Sequence, residues 1–283
     1  MSAAATAACI EDHISKRNFD QLSRFIYDYS GIKMPPTKLT MLEGRLRRRL
    51  RATGISSFDD YCDYLFKHDG LEQEKVYLID AVTTNKTDFF REPNHFSYLR
   101  DHALPKLAGR DLRRLRIWSS ACSTGAEPYT IAMVVDDFLG ESSKLDYTIL
   151  ATDLSTEVLQ TARRGIYTSD MVAPVPPDMR ARYVMTAIDA SRRDVRSPPN
   201  LRSRVGFARL NLMDQNYGIG DPMHIVFCRN VLIYFDKPTQ HRVLTRLVDC
   251  LIPGGYLFIG HSETVTGFDL PIRQVANTVF EKV

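Results

Sequence analysis

Apolar residues recur at helical spacing from residue 18 to about residue 90. Phe19, Leu22, Phe25, Ile26 and Tyr29 share one face of a helix that Gly31 is placed to end. Beyond Pro35 and Pro36, the stripe Leu39, Leu42, Leu46 and Leu50 predicts a second helix, closed by Gly54. Ser57 is an N-cap for a third helix with Phe58, Tyr61 and Leu65 facing inward, and Val76, Ile79 and Val82 mark a fourth. No alternating pattern interrupts this run, which predicts a small all-α N-terminal domain over 15–90.

From about residue 115 the pattern changes to strands alternating with helices. LRIWSSA, YTILATD, VGFARLNL and HIVFCRN read as strands, and AEPYTIAMVVDDFL and a segment after Ser155 read as helices. PTQHRVLTRLVDCL predicts an amphipathic helix stopped by Pro253-Gly254-Gly255, and GYLFIGHSE and TVFEKV close the chain as strands. The alternation indicates an α/β fold, a mostly parallel sheet covered on both faces, and the strand-rich tail predicts an antiparallel edge. Between 165 and 204 the alternation fails in a stretch rich in proline and arginine, too long for an ordinary connection. It reads as a mobile loop or a small inserted subdomain.

Composition narrows the function classes. A net charge of +3 gives no ground for a nucleic-acid or membrane partner. The cysteines, Cys9, Cys62, Cys122, Cys228 and Cys250, are scattered and odd in number, which argues against a disulfide framework and structural zinc, and for reduced thiols in the cytoplasm. No metal is expected. Residues 1–14 read as a flexible tail, since Glu11 and Asp12 cut short an apolar run without a basic flank. No stretch is apolar for the roughly 20 residues a membrane span needs.

The candidate chemistry lies at strand ends, where open parallel sheets bind ligands. The first strand runs into Cys122-Ser123-Thr124-Gly125-Ala126-Glu127-Pro128, small residues that let backbone approach a ligand closely. A single glycine does not make a dinucleotide fingerprint, and a cofactor without pyrophosphate accommodates that departure. The second strand ends at Asp153, which either accepts hydrogen bonds from ribose hydroxyls or caps the following helix. The strand before Arg229 and Asn230 ends at the same edge, and Tyr234 follows either beside the site or as a core aromatic. Residues 83–92, TTNKTDFFRE, read either as a linker or as part of a ligand site between the two domains.

Taken together, TTNKTDFFRE (83–92), ACSTGAEPYT (121–130), ATDLS (151–155), RLNL (209–212), FCRNVLIYFDKPTQ (227–240) and GGYLFIGHSE (254–263) resemble one family closely. That family is the bacterial chemotaxis receptor glutamate methyltransferases, the CheR family. The resemblance spans residue 18 to the C-terminus and implies a Rossmann-like, S-adenosylmethionine-dependent methyltransferase domain over 91–283, with a β-subdomain inserted at 165–204. It implies that Asn85, Thr87, Arg91, Glu127, Asp153, Asn211, Leu212, Arg229 and Asn230 line the cofactor site. Tyr234 is implied near the transferring methyl group.

The implied reaction forms methyl esters on glutamates of chemoreceptor signalling helices and releases S-adenosylhomocysteine. A free glutamate is already ionised at neutral pH, so no general base is required. Members that dock on a receptor's C-terminal tether peptide carry a glycine-bracketed insertion in the β-subdomain. YVMTAIDASRRDVRS (183–197) has no glycine, and tether-independent action is expected. Arg45 and Arg48, in GRLRRRLR, are either a solvated helix face or a docking surface for acidic receptor helices. A cytoplasmic monomer is expected, with neither nucleic acid nor membrane insertion. The rival readings are a nucleic-acid methyltransferase and a cofactor-binding adaptor that transfers nothing; against the first, Val231-Leu232 stands where an amino-methylating enzyme would carry a pair of prolines.

Overall fold

In the computed structural model, which describes residues 12–140, 144–189 and 191–283, the chain divides into two compact units between Thr83 and Thr84. The boundary therefore precedes the TTNKTDFFRE segment's polar core, which lies with the second unit, rather than following residue 90.

The first unit is built from α1 (Lys16–Ser30), α2 (Leu39–Thr53), α3 (Phe58–Lys67) and α4 (Leu71–Val82). Gly31 and Gly54 end α1 and α2 in left-handed backbone, and the Ser57 hydroxyl accepts from the Asp60 N–H at the start of α3. Leu22, Ile26, Leu42, Leu46, Tyr61 and Ile79 are buried between the helices, joined by Leu78, which the apolar pattern of the fourth helix did not single out. Of the expected tail, residues 1–11 lie outside the described residues. Ile14 is buried, and its N–H donates to Glu43 Oε1 at 2.9 Å, so the chain is already docked here.

The arginine-rich stripe of α2 is mostly an internal brace. Arg49 donates to both oxygens of the buried Glu74 at 2.6 and 3.0 Å, and Arg47 donates to the Asp12 carbonyl. Arg45 donates to the carbonyls of Val82 and Thr83, satisfying the C-terminal end of α4. Arg48 is exposed. Arg45 is thus engaged by the fold, whereas the exposed Arg48 fits either a solvated face or a docking surface.

The second unit opens with α5 (Asn94–Tyr98), which passes through a wider turn into α6 (Leu104–Ala108). Neither helix shows in the sequence pattern, because Pro93 and Pro105 break the periodicity; Pro105 sits in the first turn of α6, where a missing N–H is harmless. β1 (Arg114–Ser119), α7 (Ala126–Leu139), β2 (Asp146–Asp153) and α8 (Thr156–Arg164) follow as βαβα. Then come β3 (Ile166–Thr168), α9 (Pro177–Tyr183), β4 (Met185–Thr186), β5 (Asp194–Arg196) and α10 (Pro199–Arg202). β6 (Val205–Arg209), β7 (Met223–Cys228), α11 (Lys237–Asp249), β8 (Leu251–Ile259), β9 (Ile272–Ala276) and β10 (Val279–Lys282) complete the chain.

The main sheet has seven strands in the order β6-β2-β1-β7-β8-β10-β9, and β3-β5-β4 form a separate antiparallel sheet. The stretch that broke the alternation therefore carries its own small sheet. β6 through β8 pair in parallel, and β10 joins antiparallel to both β8 and β9. Ile117, Ile149, Ile225, Phe227 and Phe258 are buried in the main sheet, which explains the apolar centres of its middle strands. α11 ends at Asp249, before the proline, and Pro253-Gly254-Gly255 lies inside β8, where the pairing with β7 shifts register. Successive connections from β1 run first toward β2 and β6, then across to β7, so the order reverses beside β1. That reversal opens a crevice at the carboxyl ends of the strands.

Candidate functional site

The turn leaving β1 lies in this crevice. Gly125 adopts left-handed backbone (φ 92), and a Cβ built there would stand 2.9 Å from Ala162 Cβ and 2.9 Å from the Tyr167 hydroxyl. Packing of the turn against α8 and β3 by itself requires the glycine, whether or not a ligand approaches it. Asp153, at the end of β2, accepts from the Ser123 N–H at 2.8 Å and from the Ser155 N–H at 2.9 Å. Its carboxylate ties the first turn to the second strand. Ser155, not Asp153, is the cap position of α8.

Arg229 follows β7, and its side chain is only 2% exposed. One guanidinium nitrogen donates to Glu127 Oε2 at 3.0 Å, and the other donates to Glu92 Oε2 at 3.0 Å and to the Arg91 carbonyl. The guanidinium also lies over the Phe96 ring. Ser119 donates to the other oxygen of Glu127 at 2.7 Å. Asn230 donates from its side chain to Glu92 Oε1 at 3.0 Å. Burial disfavours the ionised Glu92, but the Asn230 hydrogen bond and the Arg229 charge overcome it and hold the carboxyl at about 2. At Glu127 burial wins and its carboxyl is pushed up, against the opposing pull of Arg229 and Ser119.

Among the other residues singled out in the sequence, Asn85 accepts through its carbonyl from the Ser123 hydroxyl at 2.8 Å. Asn85 and Thr87 line a cavity of about 400 Å³ with Thr124, Tyr167 and Asp194. The Arg91 side chain donates to the Lys86 carbonyl. Asn211 and Leu212 lie just beyond β6, whose Arg209 is in register with Asp153. Tyr234 ends a short 3₁₀ turn, Leu232–Tyr234, and is half-buried, whereas Phe235 is buried. The two aromatics therefore separate: Phe235 is core, and Tyr234 reaches the surface beside the strand ends.

Glu92 and Glu263, each at the end of a phrase carrying the resemblance, were not singled out as site residues. Glu92 is 137 positions from Arg229, so no local spacing announces their pairing. The signal available is the type of residue: an acid that follows closely on an aromatic pair or a buried strand must find donors if it is buried with them.

Residues 17–83 match the family described as "CheR methyltransferase, all-alpha domain", and residues 85–280 match "CheR methyltransferase, SAM binding domain". The chain belongs to the CheR methyltransferase family. It is 41% identical to the chemotaxis protein methyltransferase of Klebsiella aerogenes over 94% of this chain and 90% of that one. Identity is 39% to the Escherichia coli protein of the same name, covering 94% and 91% of the two chains. Chemotaxis protein methyltransferase 2 of Pseudomonas aeruginosa is 38% identical, over 95% of this chain and 94% of its own.

As a member of this family the chain is an S-adenosylmethionine-dependent methyltransferase. The cavity that Asn85 and Thr87 line also carries the Thr124 hydroxyl, a buried group with no hydrogen-bond partner that a ligand would satisfy, whereas Glu127, Asp153, Arg229 and Asn230 are not among its lining residues. Glu92, His95 and His261 also bring one potential metal-ligating atom each within 4.8 Å of one another. The Glu92 carboxylate is, however, already engaged by Arg229, Asn230 and the His261 N–H.

Proposed function

We propose that this protein transfers the methyl group of S-adenosylmethionine to glutamate carboxylates on the cytoplasmic signalling helices of chemoreceptors. The observation that carries the reading is a convergence at one sheet edge. The Gly125 turn, Asp153, and the Arg229–Tyr234 segment meet at the carboxyl ends of β1, β2 and β7, in a chain matching the SAM-binding domain over 85–280. In this reading Asn85, Thr87, Arg91, Glu127, Asp153, Asn211, Leu212, Arg229 and Asn230 form the cofactor site, and Tyr234 stands beside the transferring methyl. Arg229 contributes through the frame it builds with Glu92 and Glu127. The 3₁₀ turn after it presents Tyr234 to the incoming carboxylate.

When bound, the cofactor supplies a methyl group on a sulfonium that departs as a neutral thioether. The protein's task is alignment and partial exclusion of water, since the acceptor carboxylate is ionised at neutral pH without a base. This accounts for a site built from hydrogen-bonded acids that frame it. The exposed Arg48 supports a docking role toward acidic helices, whereas Arg45 supports the fold. We further read the protein as a cytoplasmic monomer that acts without a receptor tether peptide.

Incubation with radiolabelled cofactor, receptor-containing membranes and RNA tests the main reading. Base-labile label on the receptor is the expected result; label on RNA, or none, overturns it. Tight calorimetric binding of a receptor's C-terminal peptide would overturn tether independence alone.

A further inference from the structure

β7 and β8 are parallel neighbours whose last paired residues are Cys228 and Ile259. Beyond them the chain leaves the sheet at two adjacent points, Arg229–Tyr234 and Gly260–Glu263. Backbone N–H groups there lose their ladder partners and need others. Glu263 provides them. Its Oε2 accepts from the Asn230 N–H at 3.0 Å and from the Gly260 N–H at 2.6 Å, and its Oε1 accepts from the Leu232 N–H at 2.7 Å. Glu263 is 7% exposed, and its backbone N–H donates to the Gly260 carbonyl at 2.9 Å.

The segment so held is strained and short. Asn230 has left-handed backbone (φ 58), and Leu232 opens the 3₁₀ turn that ends at Tyr234. The first N–H groups of any such turn lack internal partners, and here a carboxylate distant in sequence caps them. Gly260 makes the approach possible. A Cβ there would lie 2.6 Å from Asn230 Nδ2, 2.8 Å from Asn230 N and 2.9 Å from Glu263 Oε2. Glu92 grips the Asn230 side chain from the other direction and also accepts from the His261 N–H at 3.2 Å.

We propose that Glu263 is a positioning residue for methyl transfer: its carboxylate sets the backbone of Asn230 through Leu232 and thereby the placement of Asn230 and Tyr234. The inference rests on the proposed roles of those two residues. Glu263 touches neither reactant; it acts through the segment it clamps. Glu263→Gln keeps the side chain's shape but replaces one acceptor oxygen with an NH₂ group that faces backbone donors. The segment must then shift, while the buried volume stays the same.

The test compares the full chain with Glu263→Gln, Gly260→Ala, Asn230→Ala and a stability control, Leu107→Ala, which truncates a buried side chain of α6. Each is measured for thermal unfolding, S-adenosylhomocysteine affinity by calorimetry, and kcat and KM on receptor-containing membranes, well below the unfolding temperature. Glu263→Gln and Gly260→Ala should weaken product binding and lower kcat by about tenfold or more, with receptor KM essentially unchanged. Leu107→Ala should lower the unfolding temperature alone. If Glu263→Gln behaves like Leu107→Ala while Asn230→Ala loses affinity, the positioning role is wrong and the site reading stands. If Asn230→Ala binds product normally, the site reading fails and the positioning role with it.

Discussion

The ion pairs around Glu92 make a measurable claim about stability and pH. Glu92→Gln removes the charge that faces Arg229 while keeping a hydrogen-bonding side chain of the same size. The folded protein holds Glu92 at about 2 against an ordinary 4.5. At about 1.4 kcal/mol per pH unit, the gap corresponds to about 3 kcal/mol of stability at neutral pH. Glu92 is 14% exposed and Arg229 is 2% exposed, so solvent screening reduces this only modestly. The sign follows from a depressed folded value: the contribution is complete above pH 4.5, falls to roughly half by about pH 3, and vanishes below about 2. Trp118 is the only tryptophan and is fully buried in the sheet unit, so its fluorescence reports that unit's unfolding by urea. Wild type should exceed Glu92→Gln by about 3 kcal/mol at pH 7, and the gap should shrink to roughly half by about pH 3 and close only near about pH 2. A difference under about 1 kcal/mol at neutral pH, or one indifferent to acidification, would refute the assignment of Glu92 as an ionised partner of Arg229.

Gly125→Ala should cost about 2–4 kcal/mol in the same fluorescence assay, because a Cβ would meet Ala162 and Tyr167 from a left-handed backbone position. Wild-type stability would show that the turn has room, and a ligand-approach role for the glycine would regain support. Arg45→Ala should destabilise the helical unit by about 1–2 kcal/mol through the lost bonds to the Val82 and Thr83 carbonyls, read by far-ultraviolet dichroism. Arg48→Ala should leave unfolding within about 0.5 kcal/mol of wild type and slow receptor methylation more at low salt than at high. Equal stability losses at both positions would contradict the division drawn between them.

The parallel sheet was legible because burial on both faces turns β1, β2 and β7 into apolar runs bounded by turns. β9 escaped notice for the opposite reason: its residues are largely exposed at the sheet's edge, so IRQVA carries little pattern. The α5–α6 helix was hidden by two prolines that the fold accommodates at its turns. At Pro253-Gly254-Gly255 the usual breaker logic misplaced the boundary, since a strand can absorb those residues where its ladder slips register. Site residues at strand ends could be named from order along the chain. Partnerships such as Arg229 with Glu92, or Asn230 with Glu263, depend on which strands become neighbours, and that is a property of topology rather than of local spacing.

The backbone of the site explains why so many acids stand in it. Phe90, Glu92, Ser123 and Asn230 all have positive φ, a conformation that costs non-glycine residues about 1–3 kcal/mol each and persists only where surrounding contacts over-determine it. Two of these strained residues are fixed through their N–H groups by carboxylates: Ser123 by Asp153, and Asn230 by Glu263. Glu92, itself strained, holds Asn230's side chain and Arg229 together. The acids therefore divide by what they do for the frame. Asp153 serves the first turn, Glu263 the segment after β7, and Glu92 joins that segment to the strained stretch ending at residue 92. A family phrase presents all of them alike, as polar residues at strand ends. Asp153 and Glu263 both hold strained backbone through its N–H groups, so an acid at this edge serves the frame whether or not it also meets a ligand, and Glu263, with three backbone N–H groups on its two oxygens, is the more completely engaged in that work.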